Sequence, residues 1–284
     1  MSTSIINITE LNIFINEYIL TGYIPCGILC WTLLYILILN TGLVTIKMSS
    51  SDKLDIYNRI VSIIHGYLLT FGCGYEFFKF VSRYEFDTGC GEENNELQKF
   101  ILCASISYFI YDFLAMAYYG LLDWAMSIHH FVSVLGQILT LASGHSGILL
   151  MCGMFVGEIS NPSMHFRMIL RHLGLRYTLA YEILEILFII FYIIGRMVVA
   201  TPTLYYIDTC GSVNIILKVC LSLLWFQTIY FIYASMVGIL MKRFKEMSNR
   251  TSHNIPMKGL FTPLTSGELK QLGINSSDEK KATI

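Results

Sequence analysis

The chain has 284 residues, of which 55% are hydrophobic and only 14% charged, with a formal net charge of −1. Soluble domains carry about a quarter charged residues, so this composition excludes an ordinary soluble fold and points to a polytopic membrane protein. No basic stripe is present to track a phosphate backbone, which sets nucleic-acid binding aside.

Seven apolar segments follow in chain order, near 18–46, 55–76, 98–120, 125–143, 147–169, 177–199 and 212–241. Each approaches or exceeds the roughly 20 residues a helix needs to cross the hydrocarbon. The expected fold class is therefore all-α, a polytopic membrane bundle of seven transmembrane helices. The first segment is long enough to tilt and has no basic residue before it, so it does not read as a cleaved signal peptide. Beyond about 247 the chain is rich in Ser, Thr, Asn and Lys without helical periodicity, and disorder is expected there.

Orientation follows from the basic residues. The first 46 residues contain no Lys or Arg. Lys47, Lys53 and Arg59 follow the first segment, Arg167, Arg171 and Arg176 the fifth, and Lys242, Arg243 and Lys245 the last. The connections at 144–146 and 200–211 have none. The positive-inside rule places the N-terminus in the lumen or outside the cell and the C-terminus in the cytosol, which requires an odd number of spans. In the terminal "KKATI" the lysines sit one position too far from the end for a retrieval signal. The endoplasmic reticulum and later secretory or plasma membranes both remain open.

Polar residues recur inside the segments at helical spacing. The second offers His65; the third carries Ser105, Tyr108, Asp112 and Tyr119 on one face. In the fourth, His130, Ser133, Gln137 and Thr140 form a stripe, and His129 heads another through Ser133 and Gly136. Glu158, Asn161 and His165 of the fifth are interrupted by Pro162, and Glu182, Glu185, Tyr192 and Arg196 share a side of the sixth. A charge such as Asp112 at mid-span costs about 2.5–3.5 kcal/mol on the insertion scale, too much for chance placement toward lipid. Singly, each group can be explained as an interhelical hydrogen bond worth about 0.6 kcal/mol. Five helices turning polar stripes inward are better explained by a central cavity. Its expected lining is His65, Tyr108, Asp112, His130, Ser133, Gln137, Glu158, Asn161 and Arg196, with Glu182 and His165 interfacial.

Chemistry can be narrowed by elimination. Seven histidines with one adjacent pair do not make the HxxH sets of membrane di-iron enzymes. No HExxH, CxxC, GxSxG or Gly-rich phosphate loop occurs, so neither a metal nor a resident cofactor is expected. What remains is acid–base or acyl chemistry by histidine with a carboxylate orienter, or no chemistry at all.

"YFIYDF" (108–113), "HHFVSVLGQILTL" (129–141) and "GEISNPSMHFRMILRHLG" (157–174) resemble the TLC-domain family, which includes the ceramide synthases. Within it, the likeness is nearest to the TLC domain-containing protein 5 type. The resemblance spans about 52–247. It implies a barrel of six helices around a lipid-accommodating cavity, with residues 1–51 as N-terminus and first helix outside it and 248–284 as a cytosolic tail. It also implies that His129 and His130 match the ceramide synthases' histidine pair, which moves a fatty acyl group from coenzyme A to a sphingoid amine. Those enzymes' later His-Asp-x-x-Asp motif falls on Gly157, Glu158 and Asn161, so one carboxylate of the motif is kept and its histidine is lost.

The reading reached is a membrane protein of lipid homeostasis that binds a lipid or acyl chain in the cavity. An acyl-CoA-dependent acyltransferase using His129, His130 and Asp112, with acyl-CoA as substrate, is the alternative; a seven-helix receptor fits by topology alone. Membrane lipids are the expected partners, and the sequence leaves oligomeric state open. Of eight cysteines, Cys90 and Cys210 fall in loops on the lumenal side and are candidates for a disulfide, while the others sit in spans as small packing residues. The sequon at Asn7 lies on the lumenal side, those at Asn249 and Asn275 on the cytosolic side. A glycosidase-sensitive mass shift is therefore expected to disappear in Asn7→Gln and to persist in Asn249→Gln; the opposite pattern reverses the orientation.

Overall fold

The computed structural model describes residues 8–45, 47–82, 91–255 and 259–272. Among these the chain is helical apart from its connections and one antiparallel bridge, Glu93 to His145. Helix α1 (Ile8–Phe14) runs through a wide turn at Ile15–Leu20 into α2 (Tyr23–Asn40). Then come α3 (Ser50–Ser82), α4 (Glu96–Tyr118), α5 (Trp124–Ser143), α6 (Gly147–Glu158) and α7 (Asn161–His172). Two long helices follow, α8 (Leu179–Thr209) and α9 (Ile215–Ser252), then a short α10 (Ser266–Gln271). Five of these, α2, α4, α5, α8 and α9, are long and apolar enough to cross a membrane.

Local chemistry sets the ends. Asn95 and Gln98 form a reciprocal capping box at the start of α4, and the Asp123 carboxylate accepts from the Met126 amide at 2.7 Å to open α5. Gly144 closes α5 in the left-handed region at φ +72°. The expected fifth span, 147–169, is not one helix. It breaks after Glu158, and Pro162 in the first turn of α7 fixes a restart with no amide to donate backwards. The sixth and seventh segments run further than expected, to Thr209 and Ser252, each through a π turn, at Ile194–Val199 and Ile232–Met236.

The tail expected to be disordered from 248 is another correction. Residues 248–252 continue α9, and Thr265 with Glu268 forms a second capping box that starts α10. Ile255, Leu264 and Leu272 pack on Tyr177, which gives this polar segment a small apolar anchor.

The helices close on themselves. Helix α3 packs on α6 and α7, α7 on α8, α8 on α9, α9 on α5, α5 on α4, and α4 back on α3. Helix α2 lies outside, against α3 and α4. A Cβ on Gly27 would meet the Ser107 hydroxyl at 2.3 Å, so glycine is what lets α2 approach α4 there, and the Trp31 indole donates to the Ala104 carbonyl at 3.1 Å beside it. The outward faces carry exposed Leu29, Leu33, Phe71, Phe78 and Phe226, an apolar surface suited to lipid.

Both ends of the bundle are tied by polar networks. At one, buried Glu76 accepts from Gln98 Nε2 at 2.7 Å and Asn95 Nδ2 at 3.0 Å, while Asn94 bonds the Thr140 carbonyl and the Gly147 amide. At the other, Glu185 accepts from Arg243 Nε at 2.6 Å and Arg167 Nη1 at 3.1 Å. Glu182, expected at the interface, is only 6% exposed and pairs with Arg243 and Arg250, joining α8 to α9.

Helices α6 and α8 approach closely at Gly195, where an added Cβ would sit 2.6 Å from the Val156 carbonyl oxygen. Gly195→Ala is expected to destabilise by about 1–3 kcal/mol, as overpacking against backbone does. Gly238→Ala, which meets nothing within 4 Å, should be neutral or stabilising. Thermal unfolding of the two variants in detergent checks this, and equal midpoints would remove the α6–α8 contact.

Candidate functional site: a polar-floored cavity inside the helix ring

A cavity of about 300 Å³ lies inside the ring, bordered by residues from Ser62 to Phe231. All nine residues proposed from the sequence border it, as do His129 and His165. Leu69, Leu150, Leu221, Leu224 and Phe231 supply apolar wall. Tyr119, Thr140, Glu182 and Glu185 share helix faces with cavity residues but do not border it. His165, expected at the interface, faces the cavity with its Nδ1 3.4 Å from the Arg59 guanidinium.

Asp112 is the centre of the polar floor. Its Oδ2 lies 2.9 Å from His130 Nε2, and its Oδ1 accepts from Asn58 Nδ2 at 2.7 Å. Asn58 in turn accepts from the Tyr111 hydroxyl at 2.9 Å, and its carbonyl from Ser62 at 3.1 Å. His130 Nδ1 sits 2.9 Å from the Met126 carbonyl, which can only accept, so that nitrogen carries a proton. The other nitrogen faces the carboxylate, 2.9 Å from Oδ2. Both nitrogens of His130 are thus engaged within the protein.

His130 is held by Asp112 and the Met126 carbonyl, and His129 is its neighbour on the cavity wall. That ring borders the cavity 5.9 Å from His130 and 6.0 Å from Phe109, with Arg196 and Gln227 beside it. Gln227 is held by donating to the Ala125 carbonyl at 2.7 Å. His65 is stacked on Tyr108 with ring centres 3.7 Å apart, and its Nε2 is buried without a partner among the described residues.

The helix break builds the remaining wall. Arg196 Nη2 donates to the Gly157 carbonyl at 2.5 Å, in the last turn of α6, and to Asn161 Oδ1 at 3.3 Å, while the guanidinium lies 4.7 Å over the Tyr192 ring. Asn161 donates from its Nδ2 to Glu158 Oε2 at 2.8 Å, so one amide bridges the cation and the acid. Cys210 is disulfide-bonded; Cys90, its expected partner, lies outside the described residues, as do Asn7 and Asn275.

Asn58 and Gln227 were missed by sequence reasoning. Asn58 had a signal, since Asn58, Ser62 and His65 fall at i, i+4 and i+7 of one helix face. Gln227 has none beyond its being an amide in an apolar segment.

A model of the TRAM, LAG1 and CLN8 group, the TLC domain, matches residues 55–242. The chain belongs to the TLC-domain family. It is 27% identical over 246 residues to the TLC domain-containing protein 4 A of Dictyostelium discoideum, an alignment covering 80% of this chain and 92% of that protein. No solved structure matches it. Every residue bordering the cavity falls inside the TLC domain, whereas α1, α2 and α10 lie outside it.

Because Asp112 and His130 are hydrogen-bonded to each other in a buried site, removing either leaves the other uncompensated, at a cost of about 3–5 kcal/mol. Asp112→Asn and His130→Ala are each expected to lower the unfolding midpoint strongly, and the double variant by little more than the worse single. A double-mutant cycle in detergent checks this; additive effects would show that the two side chains do not interact.

Proposed function

We propose that the TLC domain binds one lipid or acyl chain in this cavity and serves the lipid homeostasis of the membrane it spans. The observation that carries this reading is the cavity itself, with apolar wall and a clustered polar floor, enclosed by helices whose outer faces are apolar. At about 300 Å³ it lies at the low end of ligand-site volumes, which run to about 1,000 Å³. That suits one chain or one small head group rather than a whole two-chain lipid.

The accompanying topology has seven spans. Helices α3, α4, α5, α8 and α9, with α6 and α7 stacked as one broken span, make a six-span barrel, and α2 stands outside. Twelve residues give each of α6 and α7 only about 18 Å, so the pair together is needed for the ~30 Å hydrocarbon. The arginine-rich end faces the cytosol in this arrangement, with the N-terminus lumenal, in the endoplasmic reticulum or a later membrane. The "YFIYDF" stretch supports a narrower kinship with the TLC domain-containing protein 5 type.

One observation favours a second reading, acyl-CoA-dependent acyl transfer. His129 is a ring in the cavity not tied to a carboxylate, next to the Arg196 cation. From that position the ring could attack the thioester carbonyl, forming an acyl-imidazole as the C–S bond breaks and coenzyme A leaves as the thiol, the acyl group then passing to an acceptor amine; or it could take the proton from the amine as the amine attacks the thioester directly and coenzyme A leaves.

Mass spectrometry of the purified protein decides between them. A co-purifying single-chain or chain-inserting lipid is expected. It should be lost in Gly153→Phe, where the added ring enters open space on the cavity side, with the helical circular-dichroism spectrum of the folded bundle kept. A wild-type protein free of lipid overturns the binding reading. Product formation from acyl-CoA and sphinganine, abolished by His129→Ala, establishes the enzyme.

A further inference from the structure

We propose a second lipid site, a groove on the outside of the ring between the end of α8 and the start of α9, which seats one zwitterionic phospholipid of the adjoining leaflet. It is separate from the cavity and does not depend on what occupies it.

The groove lies at the end of the bundle opposite the arginine-rich one. It is bordered by Asp208 in the last turn of α8 and by one side of α9 between Ile215 and Phe226. Lys218 Nζ donates to the Asp208 backbone carbonyl at 2.7 Å. That bond uses one of the ammonium's three donors and holds the cation at the head of the groove. The Asp208 carboxylate forms no hydrogen bond or ion pair with a described residue. At the same end Lys79 and Lys99 each face a carboxylate, Glu76 at 3.8 Å and Glu96 at 2.8 Å, whereas Lys218 faces none among the described residues. An ammonium and a carboxylate therefore share the groove's rim through a backbone carbonyl rather than by pairing with each other.

Below them the groove is apolar. Val219, Leu223 and Phe226 fall at i, i+4 and i+7 and are 50%, 48% and 61% exposed, on the face turned to lipid. From Ile215 to Phe226 the helix rises about 16 Å, close to half of the ~30 Å hydrocarbon, so the groove has the depth of one leaflet. Ser222 borders it one turn, or about 6 Å, beyond Lys218, with a hydroxyl that makes no hydrogen bond to a described residue. Deeper still, the Trp225 indole donates to the Thr201 hydroxyl at 3.2 Å and ties α9 to α8 across the seam.

This order of groups follows a phospholipid from head to tail. Its phosphate meets the remaining donors of Lys218, an ester carbonyl reaches the Ser222 hydroxyl, and an acyl chain lies along Val219, Leu223 and Phe226. Asp208 selects the head. An anionic phospholipid sets a second negative charge against that carboxylate, while a zwitterionic one brings an ammonium to it as its phosphate meets the lysine. Diacylglycerol has no phosphate to engage the cation.

The test uses the full-length protein, delipidated in dodecyl maltoside and titrated by native mass spectrometry with phosphatidylethanolamine, phosphatidylglycerol and diacylglycerol. Phosphatidylethanolamine should bind saturably and more tightly than the other two. Lys218→Gln should weaken it about tenfold or more, as the loss of one charge-assisted hydrogen bond does. Asp208→Asn should weaken phosphatidylethanolamine and strengthen phosphatidylglycerol, a change of preference that a merely structural role would not produce. Lys99→Gln should bind as wild type does, and folded Gly153→Phe, with its ring in the cavity, should keep the groove lipid. The proposal is overturned by wild-type binding of phosphatidylglycerol or diacylglycerol as tight as that of phosphatidylethanolamine, or by no binding of phosphatidylethanolamine. Wild-type affinity in Lys218→Gln, an unaltered preference in Asp208→Asn, or loss of the lipid in folded Gly153→Phe overturns it equally.

Discussion

A carboxylate at mid-bundle, away from water, has to be met by a proton or a cation, and Asp112 meets both demands through His130. That requirement fixes more than one pair. The carboxylate's second oxygen takes the Asn58 amide, and the Tyr111 hydroxyl holds the other end of that amide. Helices α3, α4 and α5 are thereby locked at one depth, since any slide along an axis would leave a buried acceptor bare at a cost of about 1–3 kcal/mol or more. The same lock engages both nitrogens of His130. Its neighbour, turned about 100° around the helix, is the ring left facing the cavity.

The break between α6 and α7 is the second constraint, and it depends on residues of α8. Interrupting a helix frees carbonyls that lipid cannot satisfy. Arg196 takes the Gly157 carbonyl, and Gly195 beside it has no Cβ to keep α8 away from Val156. Both lie in the π turn of α8. The cation is thus held by a carbonyl, an amide oxygen and an aromatic face rather than by direct pairing with Glu158, which is instead bonded to Asn161. The arrangement keeps a positive and a negative group in one cavity wall without neutralising them against each other.

Much of this was legible in the sequence because hydropathy and helical period act locally. The apolar segments became helices, and the stripes on Asp112, His130 and Arg196 turned to one cavity. Depth was not legible. Glu185 and Arg196 share a face, yet the helix between them spans about 16 Å, so one joins the terminal ion network and the other the cavity. Nor could spacing show that His130 would be tied at both nitrogens, since the Met126 carbonyl lies one turn back on the same helix and bonds it only in one rotamer. The tail was misread for a different reason. Its composition is that of a disordered segment, but the T-x-x-E pattern at Thr265 and Glu268 is a helix start, and Leu264 and Leu272 flank it as anchors.

The cavity also constrains its occupant. An apolar void of this size can stay dry and empty, but this one is not wholly apolar. His65 Nε2, Gln137 Oε1 and Arg196 Nε line it or lie against it with no partner among the described residues. Leaving three such groups unmet would cost about 1–3 kcal/mol each, a large share of the 5–15 kcal/mol by which a typical fold is stable. An occupant that brings only methylenes would leave that cost in place. One that brings hydroxyl, amide, carbonyl or bound water to the floor and an apolar chain to the wall relieves it, and every such bond made in the folded state alone adds to stability by mass action. On the proposed lipid-binding reading, occupancy and folding are linked in this domain, and a polar floor beside an apolar wall suits a head group as much as a chain.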